Sequence, residues 1–407
     1  MSKCLWVVSG GIEALPGIKR ARERGLHVVV SDGDLDAPAF KLADDRIIAS
    51  TYDVKDSVAK AVAYHNDVRP IDGVISIAAD VPLTVASIAD ALDLPGIPLD
   101  AANLAMNKLA MKQKFLADGV PVPWFAPIGS AMELVRIAAE EGYPLILKPV
   151  DSRGARGVLH LTPEVELQWA YELSLEHSPS GQLIVERYLE GPQLSTESLI
   201  IDGTAHTIGL SDRNYDRMAQ FAPFVVEDGG DLPSRLPDHI LAEAHGVVED
   251  AARSLGVTDG VVKGDIVIHR EKASVIEIAP RLSGGHFCTV EIPFSTGVDF
   301  VGNAIRIALG ETVAPEDIVP RHQKHLCQRY LFPKPGLVTR ISGADKVASR
   351  PEMVFCEIRV VPGDTIGPIE NHPGRAGVVM TTGNSRDEAI FNAEAAVRDI
   401  LIYTENN

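Results

Sequence analysis

A chain of 407 residues with 45% hydrophobic content is long enough for two or three domains and can bury a sizeable core. Its net charge of −18 at pH 7 argues against a general nucleic-acid or anionic-membrane surface, because phosphate is held by uncompensated Lys and Arg; any phosphate must be met by a local basic cluster. The start, MSKCLWVVSGG, reads as a first strand and not as a secretory signal, and no apolar run approaches the length of a membrane span.

Over the first hundred residues β-rich runs alternate with helical patterns: CLWVVSGG, EALPGIKRARERG, HVVVSDGD, DSVAKAVAYHNDV, GVISIAA and PLTVASIADALDLP. Val- and Ile-rich strands each followed by a helix predict βαβ units and a parallel sheet. Ligands sit at the carboxyl ends of such strands, marked here by Ser9, Gly10, Gly11, Asp32 and Asp80. In NLAMNKLAMKQKFLADGVPVPWF a Lys-rich amphipathic helix gives way to a Gly-Val-Pro-Val-Pro exit, which places a boundary near residue 105. The pattern to about residue 200 is helix, strand, Gly-rich loop, strand, helix, strand. Strands follow in STESLIIDG and TAHTIGLSDR, then a long helix in ILAEAHGVVEDAARSLG and two strands in VVKGDIVIH and ASVIEIAP. Beyond Pro315 β signals dominate until the helix SRDEAIFNAEAAVRDILIY. Cys4, Cys288, Cys327 and Cys356 are scattered, with no CxxC pair or zinc spacing, as expected of reduced thiols in the cytoplasm.

The segment LILKPVDSRGARGVLHL, residues 145–161, suggests phosphate, since glycine lets backbone N–H groups approach oxygens closely. It is not a P-loop: Lys148 precedes Gly154 and Gly157, and the chain has no GK[ST]; the GxGxxG pattern fails as well. What remains is a strand lysine followed by a hairpin loop that can close over a polyphosphate, with Arg153 and Arg156 adding charge. An edge lysine that discourages strand pairing is an equally good reading of this segment alone. Lys108, on the preceding helix, can bring a second ammonium, although a solvated helix face is the commoner fate of a lone lysine. In LIVERYLEG, Glu186 and Leu189 stand at a strand exit, where an acceptor and backbone groups can meet a purine edge.

The most informative stretch is KGDIVIHREKASVIEIAPRLSGGH, which puts Asp265 and Glu277 on two antiparallel strands joined by a polar turn, so that they can lie side by side. Adjacent carboxylates repel unless a cation sits between them, and oxygen ligands with room for phosphates point to Mg²⁺. The alternative, Asp265 capping its strand and Glu277 pairing with Arg281, is disfavoured because an apolar strand such as SVIEIAP rarely buries a carboxylate without purpose.

Taken together in this order and spacing, the segments resemble the ATP-grasp superfamily, most closely its carboxylate–amine ligases of the L-amino-acid-ligase type. The resemblance covers nearly the whole chain, down to GRAGVVMTTGNSRDEAIFNAEAAV, which is similar to the closing domain of such ligases. It implies an α/β chain, α+β in part: an N-terminal parallel βαβ domain (1–105), a two-part ATP-binding core (106–185, with the lid loop, and 186–315, with the metal site) and a C-terminal β-rich domain (316–407). It implies ATP with Lys108 and Lys148 on its phosphates, and a lid containing Ser152, Arg153, Gly154 and Gly157. Glu186 would accept from the adenine amino group, with the Tyr188 and Leu189 backbone at the ring edge. Asp265 and Glu277 would hold Mg²⁺, with Mn²⁺ as the alternative ion, and Arg281 would steady the transferred phosphoryl group.

Three departures from that pattern stand out. Gln193 occupies the place of a ribose-binding Glu, Asp265 replaces a more usual Glu, and the metal motif Glu-x-Asn-x-Arg reads Glu277-Ile-Ala279-Pro-Arg281, which removes one metal-binding oxygen. The substrate pocket is less legible. His286 is a candidate for contacting or deprotonating the amine, and equally a turn-filling residue. Asp212, Arg213, Glu227 and Ser234 lie where related ligases bring loops over the site, and Asp80 either faces the cleft or caps a helix.

The leading expectation is an amide-forming ligase acting on a small carboxylate and an amine, without nucleic-acid or membrane partners and as a homodimer. Its rivals are a biotin-carboxylase-like enzyme that forms an acyl phosphate and a non-catalytic ATP-binding regulator. The chain shows no biotinyl attachment sequence, which disfavours a self-contained carboxylase.

Overall fold

The structure, a computed structural model, describes residues 2–405. Strands Cys4–Val8, His27–Asp32, Asp45–Ile48 and Gly73–Ser76 form a parallel sheet in the spatial order third, second, first, fourth. The central strand CLWVV is buried at every residue, as a parallel strand covered on both faces must be. The edge strand DRII was not expected, because a four-residue run that opens with two charged residues carries little β signal.

This sheet is docked on the rest of the chain and shares its core. Leu5, Val7, Ile18 and Ile77 pack in one cluster with Leu199, Phe287, Phe300 and Ile305. Gly73 makes the close approach possible, since a Cβ there would stand 2.6 Å from the carbonyl oxygen of Ala308. Helix Phe300–Ala308 is started by Asp299, which accepts from Gly302 N–H and also pairs with Arg20 of the N-terminal sheet's first helix.

A second sheet is antiparallel, with Phe125–Ile128, Leu183–Arg187, Leu145–Pro149 and Leu159–Leu161 in that spatial order. Helices Ala131–Glu141 and Leu167–Glu176 cover it. The third sheet has eight antiparallel strands: Lys272–Ala279, Gly260–His269, Gln193–Ile201, Thr204–Asn214, Gly229–Leu232, His325–Tyr330, Gly377–Gly383 and Met353–Ile358. Helix Asp238–Ser254 lays Ile240, Ala244, Val247, Val248 and Ala251 on it, the stripe of an amphipathic helix.

The division expected near residue 315 does not separate two sheets, because Gly229–Leu232 pairs directly with His325–Tyr330. The joining strand is only GGDL, too short and glycine-rich to read as a strand. A small sheet of Gly336–Ser342, Thr365–Ile366 and Leu401–Glu405 completes the C-terminal part. The last helix ends at Asp399, and the β-favouring LIY that follows runs on as a strand.

Candidate active site

Where the three larger sheets meet lies a cavity of about 610 Å³ whose wall draws on residues from Ser9 to Arg375. Lys and Arg outnumber Asp and Glu on that wall, although the whole chain is strongly acidic. It is the local basic cluster that any phosphate ligand of this protein requires.

Two ammonium groups enter from different elements. Lys148 comes from strand Leu145–Pro149 and lies 2.8 Å from Glu186 Oε1, both residues being buried. Lys108 opens helix Lys108–Ala117. Asn107 caps that helix by accepting from Ala110 N–H, and the Lys108 backbone N–H is tied to Val150 O, so the helix start is pinned beside the strand that carries Lys148. Lys108 Nζ donates to Ser152 O at 2.8 Å and pairs with Glu277 at 3.1 Å, linking the loop to one of the paired carboxylates.

A third lysine escaped the sequence reading. Lys112, one helical turn beyond Lys108, is 1% exposed and lies 3.4 Å from Glu186 Oε1. Burial pushes its ammonium down to about 8, against the attraction of Glu186. Burial opposes charge on Glu186 too, but Lys112 and Lys148 prevail and hold its carboxyl below the usual range. The i, i+4 spacing of Lys108 and Lys112 was the available signal.

The 150–157 loop bends through positive φ at Gly154, Ala155 and Gly157, and a Cβ on Gly157 would stand 2.9 Å from His177 Cβ. The loop is held over the cavity from two sides. Arg153 reaches Asp80 at 3.4 Å and lies over the Tyr52 ring, while Gly154 O accepts from His372 N–H at 3.0 Å. Arg156, expected to add charge to the site, instead projects to solvent and folds back on Arg153 O. Asp80 does not cap helix Pro82–Ala91. It stands between Arg153 and Arg281, 3.4 Å from each, and these cations with Lys108 hold its carboxyl below the usual range against the effect of burial.

Asp265 and Glu277 are direct partners across strands Gly260–His269 and Lys272–Ala279, with a β-bulge immediately after Asp265. Their mutual repulsion is relieved by protein cations: Arg213 and Lys263 on Asp265, Lys108 on Glu277. Burial works against ionised Asp265, yet Arg213 and Lys263 hold its carboxyl well below the usual range. No group of three or more His, Cys, Asp or Glu among the described residues is placed to hold a metal. A hard ion here would therefore take two carboxylates from the chain and the rest of its shell from phosphate oxygens and water, a donor set that suits Mg²⁺.

Ser152, Tyr188, Leu189, Gln193, Ala279 and Arg281 also face the cavity. Of the loop candidates, Arg213 and Glu227 line it and pair at 2.6 Å, whereas Asp212 and Ser234 bond to one another outside the wall, with Arg386 on Asp212.

His286 corrects the expectation placed on it. Its backbone is left-handed (φ 62°), it is 2% exposed, and its ring packs on Phe355 with Nε2 3.3 Å from Glu357. It faces the C-terminal part of the molecule and is absent from the wall, so it is not placed to meet an amine.

The far end of the cavity is made by residues the sequence reading missed: Glu13, Glu291, Gln328, Tyr330, Arg359 and Arg375. Arg375 lies 3.8 Å from the centre of the Tyr330 ring and donates to Glu227 O, and Arg359 pairs with Glu13 and Glu357. Off the wall, buried Glu197 accepts from Ser283 N–H at 3.0 Å. Burial pushes that carboxyl up to about 7.

With this geometry in hand, the comparisons with known proteins become informative. Residues 105–315, more than half the chain, match the family described as carbamoyl-phosphate synthase L chain, ATP binding domain. The chain belongs to the ATP-grasp superfamily. An ATP-grasp N-terminal domain matches residues 18–96, and an L-amino acid ligase C-terminal domain 2 matches residues 329–405. The protein y4rH of Sinorhizobium fredii, described as uncharacterized, is 28% identical over 392 residues, which is 94% of this chain and 79% of that one.

Among solved structures, the L-amino acid ligase from Bacillus licheniformis superposes with a TM-score of 0.83 at 21% identity, over 100% of this ATP-grasp chain and 99% of that one. The biotin carboxylase domain of Hydrogenobacter thermophilus 2-oxoglutarate carboxylase, solved as a dimer with MgADP, ADP and bicarbonate, gives 0.74 at 20% identity over 99% and 91%. Both likenesses are of fold. No helix among the described residues is long and apolar enough to cross a membrane.

Proposed function

We propose that this ATP-grasp protein is an ADP-forming ligase that joins a small carboxylate to an amine through an acyl phosphate. One observation supports this above the others: Lys108, Lys148, the lid and Arg281 converge with the Asp265–Glu277 pair on a single cavity. The match of residues 329–405 to an L-amino acid ligase C-terminal domain favours an amide product over carboxylation.

In this reading Lys108 and Lys148 bind the phosphates of ATP, and Asp265 and Glu277 hold Mg²⁺, which neutralises charge on the triphosphate. The substrate carboxylate attacks the γ-phosphorus beside Arg281, the bond from that phosphorus to the bridging oxygen breaks and ADP leaves, and the guanidinium meets the developing charge. For the chain this amounts to an exchange of partners: Lys108 leaves Glu277, and Arg281 leaves Asp80, as phosphate oxygens arrive. The lid, fastened through Arg153 and Gly154, excludes water that would otherwise hydrolyse the acyl phosphate. An amine then attacks the acyl carbon, the C–N bond forms, the C–O bond to phosphate breaks, and the nitrogen's proton leaves with phosphate.

The test is ADP and phosphate release across paired panels of carboxylates and amines. The ligase reading expects ADP only when a carboxylate and an amine are both present. ADP release driven by bicarbonate alone would assign a carboxyphosphate-forming enzyme instead, and nucleotide binding without turnover on any pair would assign a regulator.

A further inference from the structure

Seven carboxylates line the cavity, and six of them are matched by a cation within ion-pair distance: Glu13, Asp80, Glu186, Glu227, Asp265 and Glu277. Glu291 is the exception. It is 3% exposed, and its side-chain partner among the described residues is the neutral amide of Gln328, which donates to Oε1 at 2.8 Å. Gln328 cannot easily turn to offer anything else, because the same Nε2 also donates to Gly285 O at 2.6 Å.

The backbone is shaped to put the carboxyl there. Residues Phe287–Glu291 form a π-helix directly after left-handed His286, with Glu291 N–H bonded back to His286 O at 3.2 Å. A π-turn is an uncommon conformation that recurs at functional sites. Here it sends Glu291 into the cavity wall and leaves His286 on the opposite side. The titratable groups facing Glu291 offer it no positive charge. Asp231, on strand Gly229–Leu232, and Glu227, in the segment leading into it, are already matched by Arg329 and Arg386 and by Arg213, and Cys327 and Tyr330 lie on strand His325–Tyr330. Burial, with Glu227 and Asp231 adding to it, pushes the Glu291 carboxyl well above the usual range.

A buried carboxyl without a cation in a ligand cavity is complementary to a ligand that brings one. We propose that Glu291 is the receiving site for the amino group of the amine substrate, an assignment that rests on the ligase reading. The amine reaches the protein as an ammonium ion. On binding, one proton passes to solvent, so that a single proton is shared between the nitrogen and Glu291 and the pair is neutral overall. Because the site disfavours charge, that proton resides on Glu291 and the nitrogen keeps its lone pair. When the C–N bond forms, one of the two remaining nitrogen protons leaves with phosphate and Glu291 is unchanged. The proposal gives the chain a means of delivering an unprotonated amine at neutral pH, the role sequence reasoning had offered to His286.

The experiment compares two nucleophiles in the full-length protein: hydroxylamine, largely unprotonated at neutral pH, and glycinamide, largely protonated. Each standard amino acid is supplied in turn as the acid with MgATP. In Glu291→Gln, kcat/KM for glycinamide should fall roughly 100-fold, in the range of a lost acid–base group, while the loss in hydroxamate formation should be at least tenfold smaller. Glu291→Asp should recover most of that loss. Equal losses with both nucleophiles, or an unchanged glycinamide rate, would overturn the assignment. Absence of hydroxamate from wild type with every acid would instead overturn the ligase reading, and this assignment with it.

Discussion

Where Lys108 and Lys148 enter the cavity each carboxylate has a cationic partner, with Lys108 on Glu277, Lys148 and Lys112 on Glu186, and Arg213 and Lys263 on Asp265. At the far end Glu291 has an amide, and Arg375 offers its guanidinium to a ring face and a carbonyl oxygen. The first arrangement balances charge within the chain and lets a charged ligand enter by exchange, one ion pair replacing another. The second leaves a buried acid whose partner has to come from the ligand. A site can therefore store its electrostatic specificity either in pairs to be broken or in a partner left out, and this cavity uses both.

The largest effect is expected at the paired end. Glu277→Gln keeps the shape of the side chain but removes the charge that holds Lys108 and would hold Mg²⁺, so ATP turnover should fall at least 100-fold. Turnover near wild type, measured as ADP release, would show that the pair is a structural brace and erase the contrast between the two ends.

Buried Glu197, off the cavity wall, bears on stability instead. Its folded carboxyl, near 7, lies above the ordinary value of 4.5, so the folded chain binds this proton more tightly than the unfolded chain does. The contribution to stability is therefore full below about pH 4.5, shrinks as pH rises to about 7, and is lost above that, a change of roughly 3 kcal/mol by linkage. Thermal unfolding followed from pH 5 to pH 8 should show the midpoint of wild type dropping by a few degrees more than that of Glu197→Gln. Parallel curves would mean that Glu197 keeps its charge at neutral pH.

The smallest effect belongs to His286. Asn tolerates a left-handed backbone, so His286→Asn should change turnover by less than about threefold with any amine. A fall of 100-fold or more would return the amine to His286 and undo the asymmetry drawn above.

Much of this site could be read from residue order. Lys148 before its glycines and Asp265 opposite Glu277 are products of strand alternation and antiparallel register, which local patterns specify well. Lys112 was within reach, four residues from Lys108 on one helix. The join of the eight-stranded sheet was not, because GGDL has no strand signature and is held by its neighbours. His286 misled because a histidine beside two glycines reads as a loop residue near a ligand, whereas the π-turn decides which of residues 286 and 291 faces the cavity.

The sequence by itself determined the layered α/β architecture, the family, and most of the side chains that gather at one end of the cavity. These depend on periodicity and on spacing between near neighbours in the chain, and such short-range relations survive in the order of residues. Only the tertiary structure decided which charges pair across the cavity, that Asp80 joins the lid to Arg281, and that Glu291 has no cationic partner among the described residues. Ion pairing depends on distances of a few ångströms between segments hundreds of residues apart, and no local pattern encodes where a partner is missing.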